Sequence, residues 1–436
     1  MKPNNLENFW MPFTSNRDFK QDPRMIVSAE GMYYTSNEGK KIMDATAGLW
    51  CVNAGHKHPK IVEAVTKAVQ TLDYAPNFHF GHPEVFELSN RLAMQFPKNI
   101  NHFFFTNSGS EAVDSALKIA LAYQRTRGKA TKTRLIGRER GYHGVGFGGI
   151  SVGGMTKNRM YFGSLLTGVD HIRHTHDPVK NPYSRGEVEH GCELADDLER
   201  MVALHDASTI AAVIVEPFAG STGVLPPPKG YLKRLRALCD KHDILLIFDE
   251  VITAFGRLGT MTAAEYFEVE PDMITIAKGL TSGVVPMGGV AVKDDIYQSM
   301  MDNADGPIEL FHGYTYTGHP LATAAALGAL DAYEDDEMFK NAADLTEYIA
   351  DAAHALKGEK HVTDIRSIGL VAAIELDSRD GAAGARAYDV LKASWDKGLM
   401  VRISGDILAF SPPLMVNKAE IDQMFEITAE VLRAVD

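Results

Sequence analysis

The chain has 436 residues, enough for two or three lobes at about 150 residues each and for a core that needs no disulfide or metal staple. Apolar residues at 45% and charged residues at 23% exclude a disordered chain. Lys+Arg 44 against Asp+Glu 57 gives −13, an acidic balance that repels phosphate backbones and anionic lipid and so argues against nucleic-acid and membrane partners.

The first residues, Met1-Lys2-Pro3-Asn4-Asn5, are polar and lack the apolar stretch of a signal peptide. Cys51, Cys192 and Cys239 are odd in number, widely spaced and form no Cys-x-x-Cys pair. That pattern fits a reducing compartment, so a cytoplasmic protein without a metal centre is expected. The first ~50 residues pattern weakly and are expected to pack on a C-terminal lobe.

An apolar run, Phe103-Phe104-Phe105, is followed by Thr106-Asn107-Ser108-Gly109-Ser110-Glu111. A helix should open there, because Val113, Ala116, Leu117, Ala120 and Leu121 make one apolar stripe at helical spacing. Ser and Gly at its start leave backbone N–H groups free at the positive end of the helix dipole, an anion cradle suited to phosphate. The same letters also read as a plain N-cap with Glu111 in the first turn.

Gly144-Val145-Gly146-Phe147-Gly148-Gly149 matches the dinucleotide fingerprint. Ile150-Ser151-Val152-Gly153-Gly154 after it is no helix start, so a flexible or close-packed loop is expected instead. Tyr142, on the Gly-flanked loop before it, is either a core tyrosine or a ring that stacks on a flat heterocycle.

Short apolar, partly β-branched runs follow at Val213–Val215, Ile244–Phe248 and Met273–Ile276, as expected of strands covered on both faces. Tyr231 to His242 reads as the crossover helix between the first two. Glu216, Asp249 and Lys278 stand just past these runs, at the sheet edge where parallel α/β sheets bind ligands. By position alone they are equally ordinary solvated charges. After Gly318-His319-Pro320 the chain should form a long helix over Leu321 to Tyr333, bridging into a C-terminal lobe. That lobe is expected to carry strands around 369–376 and 398–410 and a last helix over Lys418–Val435.

These residues together resemble the class III (omega) aminotransferases, and among them the omega-amino acid–pyruvate transaminases. The resemblance runs from Phe9-Trp10-Met11-Pro12-Phe13-Thr14 through Gly48-Leu49-Trp50, Thr106 to Glu111, Gly141-Tyr142-His143-Gly144 and Val215-Glu216-Pro217. It continues with Phe248 to Arg257, Ala277-Lys278-Gly279, His312 to Tyr316 and Arg402. The spacing of 29 residues from Asp249 to Lys278 (278 − 249) is its most specific part.

The resemblance implies an α/β, fold type I architecture that uses pyridoxal 5′-phosphate. A large domain (58–319) with a mostly parallel central sheet would join a smaller α+β domain built from both chain ends (1–57 and 320–436). Lys278 would condense with the cofactor aldehyde as a Schiff base and then act as general base, and Asp249 would hold the ring nitrogen protonated. Ser108, Gly109 and Ser110 would take the phosphate, with Thr315 reaching it from a neighbouring subunit of a homodimer. Tyr142 and His143 would line the cofactor, Tyr142 by stacking. Val251, read as two residues along an extended segment from Asp249, would cover the other ring face, and Glu216 would hold the arrangement. Trp50, Phe13 and Phe80 would wall the substrate pocket, and Arg402 would grip a carboxylate.

The implied reaction moves an amino group from an omega-amino acid such as β-alanine, or a primary amine, to pyruvate by a ping-pong route. Ile252 stands where related GABA and ornithine enzymes commonly carry Gln. Taurine or GABA transamination, an aminomutase or a decarboxylating transaminase remain alternatives within the cofactor class. A dinucleotide-dependent dehydrogenase is the alternative outside it.

Overall fold

The computed structural model describes residues 5–436, so the polar start read above lies, as far as Asn4, outside the described residues. Near the start, β1 (Ile26–Glu30), β2 (Tyr33–Ser36) and β3 (Lys41–Asp44) form an antiparallel meander. The central strands are β4 (Ile100–Thr106), β5 (Arg134–Arg138), β6 (Val169–Ile172), β7 (Ile210–Val215), β8 (Leu245–Asp249), β9 (Met273–Ile276) and β10 (Gly288–Lys293). The C-terminal ones are β11 (Val362–Ser367), β12 (Ala372–Leu376), β13 (Leu399–Met400), β14 (Arg402–Ser404) and β15 (Ile407–Phe410).

The central sheet has the order β4-β10-β9-β8-β7-β5-β6. Only β10 runs against its neighbours, so the other six strands deliver their carboxyl ends to one edge. Every residue of β7 and β8 is buried, as both-face covering requires. Ile210, Val213 and Val215 of β7, with Leu246 and Phe248 of β8, enter one core, while Ile214, Leu245 and Ile247 enter another. The helix Gly109–Thr126 seals the second core with Val113, Ala116, Leu117 and Ala120. The helix Tyr231–Lys241, which is the β7–β8 crossover, seals the first with Leu232, Leu235 and Cys239.

Both chain ends build the smaller sheets. β13 lies parallel on β3, so Met43 pairs with Leu399 and Asp44 with Met400. β11-β12-β15-β14 is a separate antiparallel sheet. The helix Pro320–Asp335 packs on the helix Pro59–Thr71 and on the Lys278–Thr281 turn. No helix among the described residues is long and apolar enough to cross a membrane.

Three local expectations need correction. A short helix, Phe147–Val152, does open within the glycine run. It forms because the glycines let backbone meet backbone: a Cβ on Gly149 would lie 2.2 Å from the His143 carbonyl oxygen, and one on Gly144 would lie 2.7 Å from Ser110 Cα. The segment after Asp249 is not extended, because the Val251 N–H turns back to an Asp249 oxygen at 3.2 Å and starts a turn. The single stretch expected over 398–410 is three short strands, and β11 precedes the strand expected near 369–376.

Candidate active site

Asp249 is the last residue of β8, not the first beyond it, and only 5% exposed. Its Oδ2 accepts from His143 Nδ1 at 2.7 Å and its Oδ1 from the Thr275 hydroxyl at 3.0 Å. A carboxylate in this position demands that Nδ1 carry the proton, so the imidazole fixes the carboxylate's orientation. Thr275 pairs with Asp249 across β8 and β9. It is the site residue that sequence reasoning missed, since strand register leaves no local signal in the letters.

One strand over, β9 hands Lys278 into a 3-10 turn with φ 49°, a left-handed backbone that side-chain-bearing residues seldom take. Burial drives its amine from the ordinary 10.5 down to about 8, Asp249 pulls it back up, and the like charge of Arg402 pushes it down. Glu216, 4% exposed, accepts the N–H groups of Tyr142 (2.9 Å) and Gly220 (3.1 Å), and burial raises its pKa. It thereby ties the Tyr142 loop to the end of β7.

At the end of β4, Ser108 caps the helix Gly109–Thr126 by accepting the Glu111 N–H at 3.2 Å, and Glu111 accepts the Asn107 N–H at 2.8 Å. The plain capping arrangement and the cradle therefore coexist: among the described residues, the N–H groups of Gly109 and Ser110 have no protein acceptor. The Ser110 hydroxyl accepts from the Val145 N–H at 3.0 Å. A Cβ on Gly109 would lie 2.9 Å from Val251 Cγ1, so the cradle, Val251 and the Asp249 turn are in close contact.

Arg402, the first residue of β14, is partly buried and has no side-chain acceptor among the described residues. Burial lowers its pKa, and its charge acts on both Tyr142 and Lys278. Trp50 is 3% exposed, with an indole N–H that lacks an acceptor among the described residues. Phe13 (83% exposed), Phe80 (74%) and Thr315 lie on the surface of the chain, and the Thr315 carbonyl accepts from the Tyr74 hydroxyl at 3.0 Å. The structure thus gathers Asp249, His143, Lys278, Glu216, Tyr142, Val251 and the Ser108–Ser110 turn at one sheet edge, with Arg402 in electrostatic reach. It does not gather Phe13, Phe80 or Thr315 there.

A pyridoxal-type cofactor needs an amine, an acid opposite its ring nitrogen and an anion cradle, and the donor set fits. The free N–H pair of Gly109 and Ser110 can take an anion, Asp249 presents a carboxylate, and Lys278 offers an amine that is largely desolvated.

Aminotransferase class-III is the family whose profile matches residues 14–432, and the chain belongs to that family. An omega-aminotransferase of Caulobacter vibrioides is 63% identical over 433 residues, covering 99% of each chain. The beta-alanine–pyruvate aminotransferase of Pseudomonas aeruginosa is 48% identical, over 99% of this chain and 96% of its own. Among solved structures, the omega transaminase from Pseudomonas jessenii in complex with PMP superposes with a TM-score of 0.93 at 32% identity. That superposition covers 98% of this chain and 96% of the other.

Proposed function

We propose that the protein is a pyridoxal 5′-phosphate-dependent omega-amino acid–pyruvate transaminase, taking nitrogen from β-alanine or a related amine and yielding L-alanine. The observation that carries this reading is the Lys278 amine, depressed to about 8, beside the Asp249–His143 pair and the free N–H cradle at one sheet edge. The names of the two relatives above support the choice of donor and acceptor.

When bound, the cofactor supplies an aldehyde that exchanges nitrogen and a ring that withdraws electrons from the reacting carbon. The Gly109 and Ser110 N–H groups would hold its phosphate, with the Ser108 turn placing them. Tyr142 and Val251 would line its ring. Asp249, oriented by His143 and Thr275, would keep a proton on the ring nitrogen. Glu216 fixes the loop that carries Tyr142. Lys278, neutral in appreciable part near pH 7, would serve as the general base that carries a proton to and from the reacting carbon, a role worth roughly 10²–10⁴ in rate. The free guanidinium of Arg402 takes the substrate carboxylate, and Trp50 walls the pocket.

Phe13, Phe80 and Thr315 act in trans, from the second copy of a homodimer. Their exposure supports this, as does that of Trp10 (88%) and Phe311 (90%), since large exposed aromatics mark association surfaces. The large domain spans 58–319, the small one 1–57 with 320–436, and the enzyme works in the cytoplasm.

The test is product analysis with β-alanine and pyruvate. L-Alanine should form in step with donor loss, and Lys278→Ala should abolish turnover and the yellow chromophore while the chain stays folded. Near-normal turnover in that variant refutes the reading. So does carbon dioxide release, reaction without a second substrate, or a nicotinamide-dependent absorbance change.

A further inference from the structure

The segment between β3 and the helix Pro59–Thr71 is bent into an unusual path. Ala47 (φ 45°), Gly48 (φ 66°) and Trp50 (φ 65°) all take left-handed backbone angles. Only Gly48 does so without strain, and strained residues persist where the surroundings over-determine them.

The surroundings here converge on one carboxylate. Asp44, fully buried at the end of β3, accepts the Thr46 N–H on Oδ1 at 3.0 Å and the Gly48 N–H on Oδ2 at 2.6 Å. The same Oδ2 lies 2.8 Å from His56 Nε2, and the Tyr34 ring packs over that imidazole at 4.1 Å. The Thr46 hydroxyl closes the turn by donating to the Gly48 carbonyl at 2.7 Å.

Two further ties leave this knot. Towards Arg402, Asp44 pairs with Met400, the Ala45 N–H donates to the Met400 carbonyl at 3.1 Å, and the Ser411 N–H donates to the Ala45 carbonyl at 2.8 Å. Towards Lys278, the Ala54 N–H donates to the Ser282 hydroxyl at 2.9 Å. Cys51 Sγ sits 3.1 Å from where a Cβ on Gly283 would be. The strained turn is thus fastened between β13, which ends two residues before Arg402, and the turn that presents Lys278.

We propose that Asp44 is a positioning residue for substrate choice. Its carboxylate, held by His56, locks residues 46–50 so that Trp50 and Arg402 keep a fixed separation as the two walls of the donor pocket. The inference rests on the reading that Trp50 and Arg402 meet the amino donor; the lock itself does not.

Asp44→Asn turns one acceptor into a donor facing the Gly48 N–H and His56, and so breaks the lock at constant size. In its holoenzyme crystal structure the Ala47–Trp50 backbone should relax out of the left-handed region. KM for β-alanine should rise about tenfold while kcat changes little, and the preference for β-alanine over a bulky aryl amine should fall by about tenfold. The chromophore absorbance, which reports on Lys278 and Asp249, should not move, as it would if Asp44 served only global stability.

His56→Gln keeps an N–H donor for Asp44 and should match wild type, whereas His56→Leu should reproduce Asp44→Asn. The His56 pair decides the matter should Asp44→Asn fail to fold. An unmoved 47–50 backbone, or an unchanged donor preference with a moved one, overturns the proposal. Absence of transamination by the wild-type enzyme with every donor overturns the functional reading instead, and the crystal structure still judges the lock.

Discussion

Replacing Asp249 by Asn tests the electrostatics of the site directly, because among the nearby charges that favour protonated Lys278 it removes the one with the largest effect, ahead of Cys51 and Glu216. Burial drives that amine from 10.5 to about 8, which is about 3 kcal/mol of bias toward the neutral form. At pH 7 roughly a tenth of the amine is then neutral, about 300-fold more than for an ordinary lysine. Asp249 opposes the shift and Arg402 assists it. Asp249→Asn should therefore move the midpoint below 8, and Arg402→Leu should move it above. The assay uses cofactor-free protein, a small aldehyde with cyanoborohydride, and mass spectrometry of the Lys278 peptide from pH 6 to 10, with exposed lysines of the same chain as reference. A wild-type midpoint near 10.5, or an upward shift in Asp249→Asn, refutes the reasoning. Asp249→Asn should also lose most transaminase activity, because the ring nitrogen no longer holds its proton.

Glu250 is fully buried, and burial raises its carboxyl from 4.5 to about 7 despite the Ala263 and Ala264 N–H groups it accepts. Between those two values the unfolded chain releases the proton and the folded chain keeps it, so stability falls as pH rises through the window. Glu250→Gln should remove up to about 3 kcal/mol of that decline, read as urea midpoints at pH 5 and 7.5; identical slopes in the two proteins contradict it. Gly109→Ala drives a methyl to within 2.9 Å of Val251 Cγ1 and should weaken cofactor retention about tenfold, with an overpacking cost of about 1–3 kcal/mol. Val251→Ala in the same chain should restore retention, measured by dialysis and absorbance. Arg257 is buried, donates to the Pro412 carbonyl at 2.6 Å and to Asn53 Oδ1 at 3.1 Å, and so joins three distant parts of the chain. Arg257→Ala should cost about 3 kcal/mol or more by leaving those acceptors bare, and calorimetry should show a lower and broader transition.

The central strands are legible in the letters because burial on both faces writes β-branched runs, and the strand expected over Met273–Ile276 is β9 residue for residue. The helices over 109–126, 231–241, 320–335 and 418–434 are legible through their apolar stripes and end signals. What is not legible depends on register and on backbone approach. Thr275 reaches Asp249 only because β8 and β9 align, and the helix at Phe147 exists because Gly144 and Gly149 admit a neighbouring backbone while Gly146 and Gly148 leave room for the Asp114 side chain. The knot at Asp44 lies within residues 34–56, but its tie to the other chain end runs through the pairing of Asp44 with Met400, which no local window of sequence contains. Phe13, Phe80 and Thr315 are written in the family resemblance and in nothing a single chain displays.

The parallel contact of β13 on β3 has a consequence for how the protein is made. Met43 waits for Leu399, 356 positions later (399 − 43), so the first meander leaves the ribosome with its outer edge bare. The central sheet, the lysine turn and the helix Gly109–Thr126 are complete long before that edge is covered, because all of them lie between residues 100 and 293. Maturation therefore ends, rather than begins, at the side of the site that carries Arg402, and a nascent chain stalled short of residue 399 holds Asp249 and Lys278 on a finished sheet without the arginine that faces them.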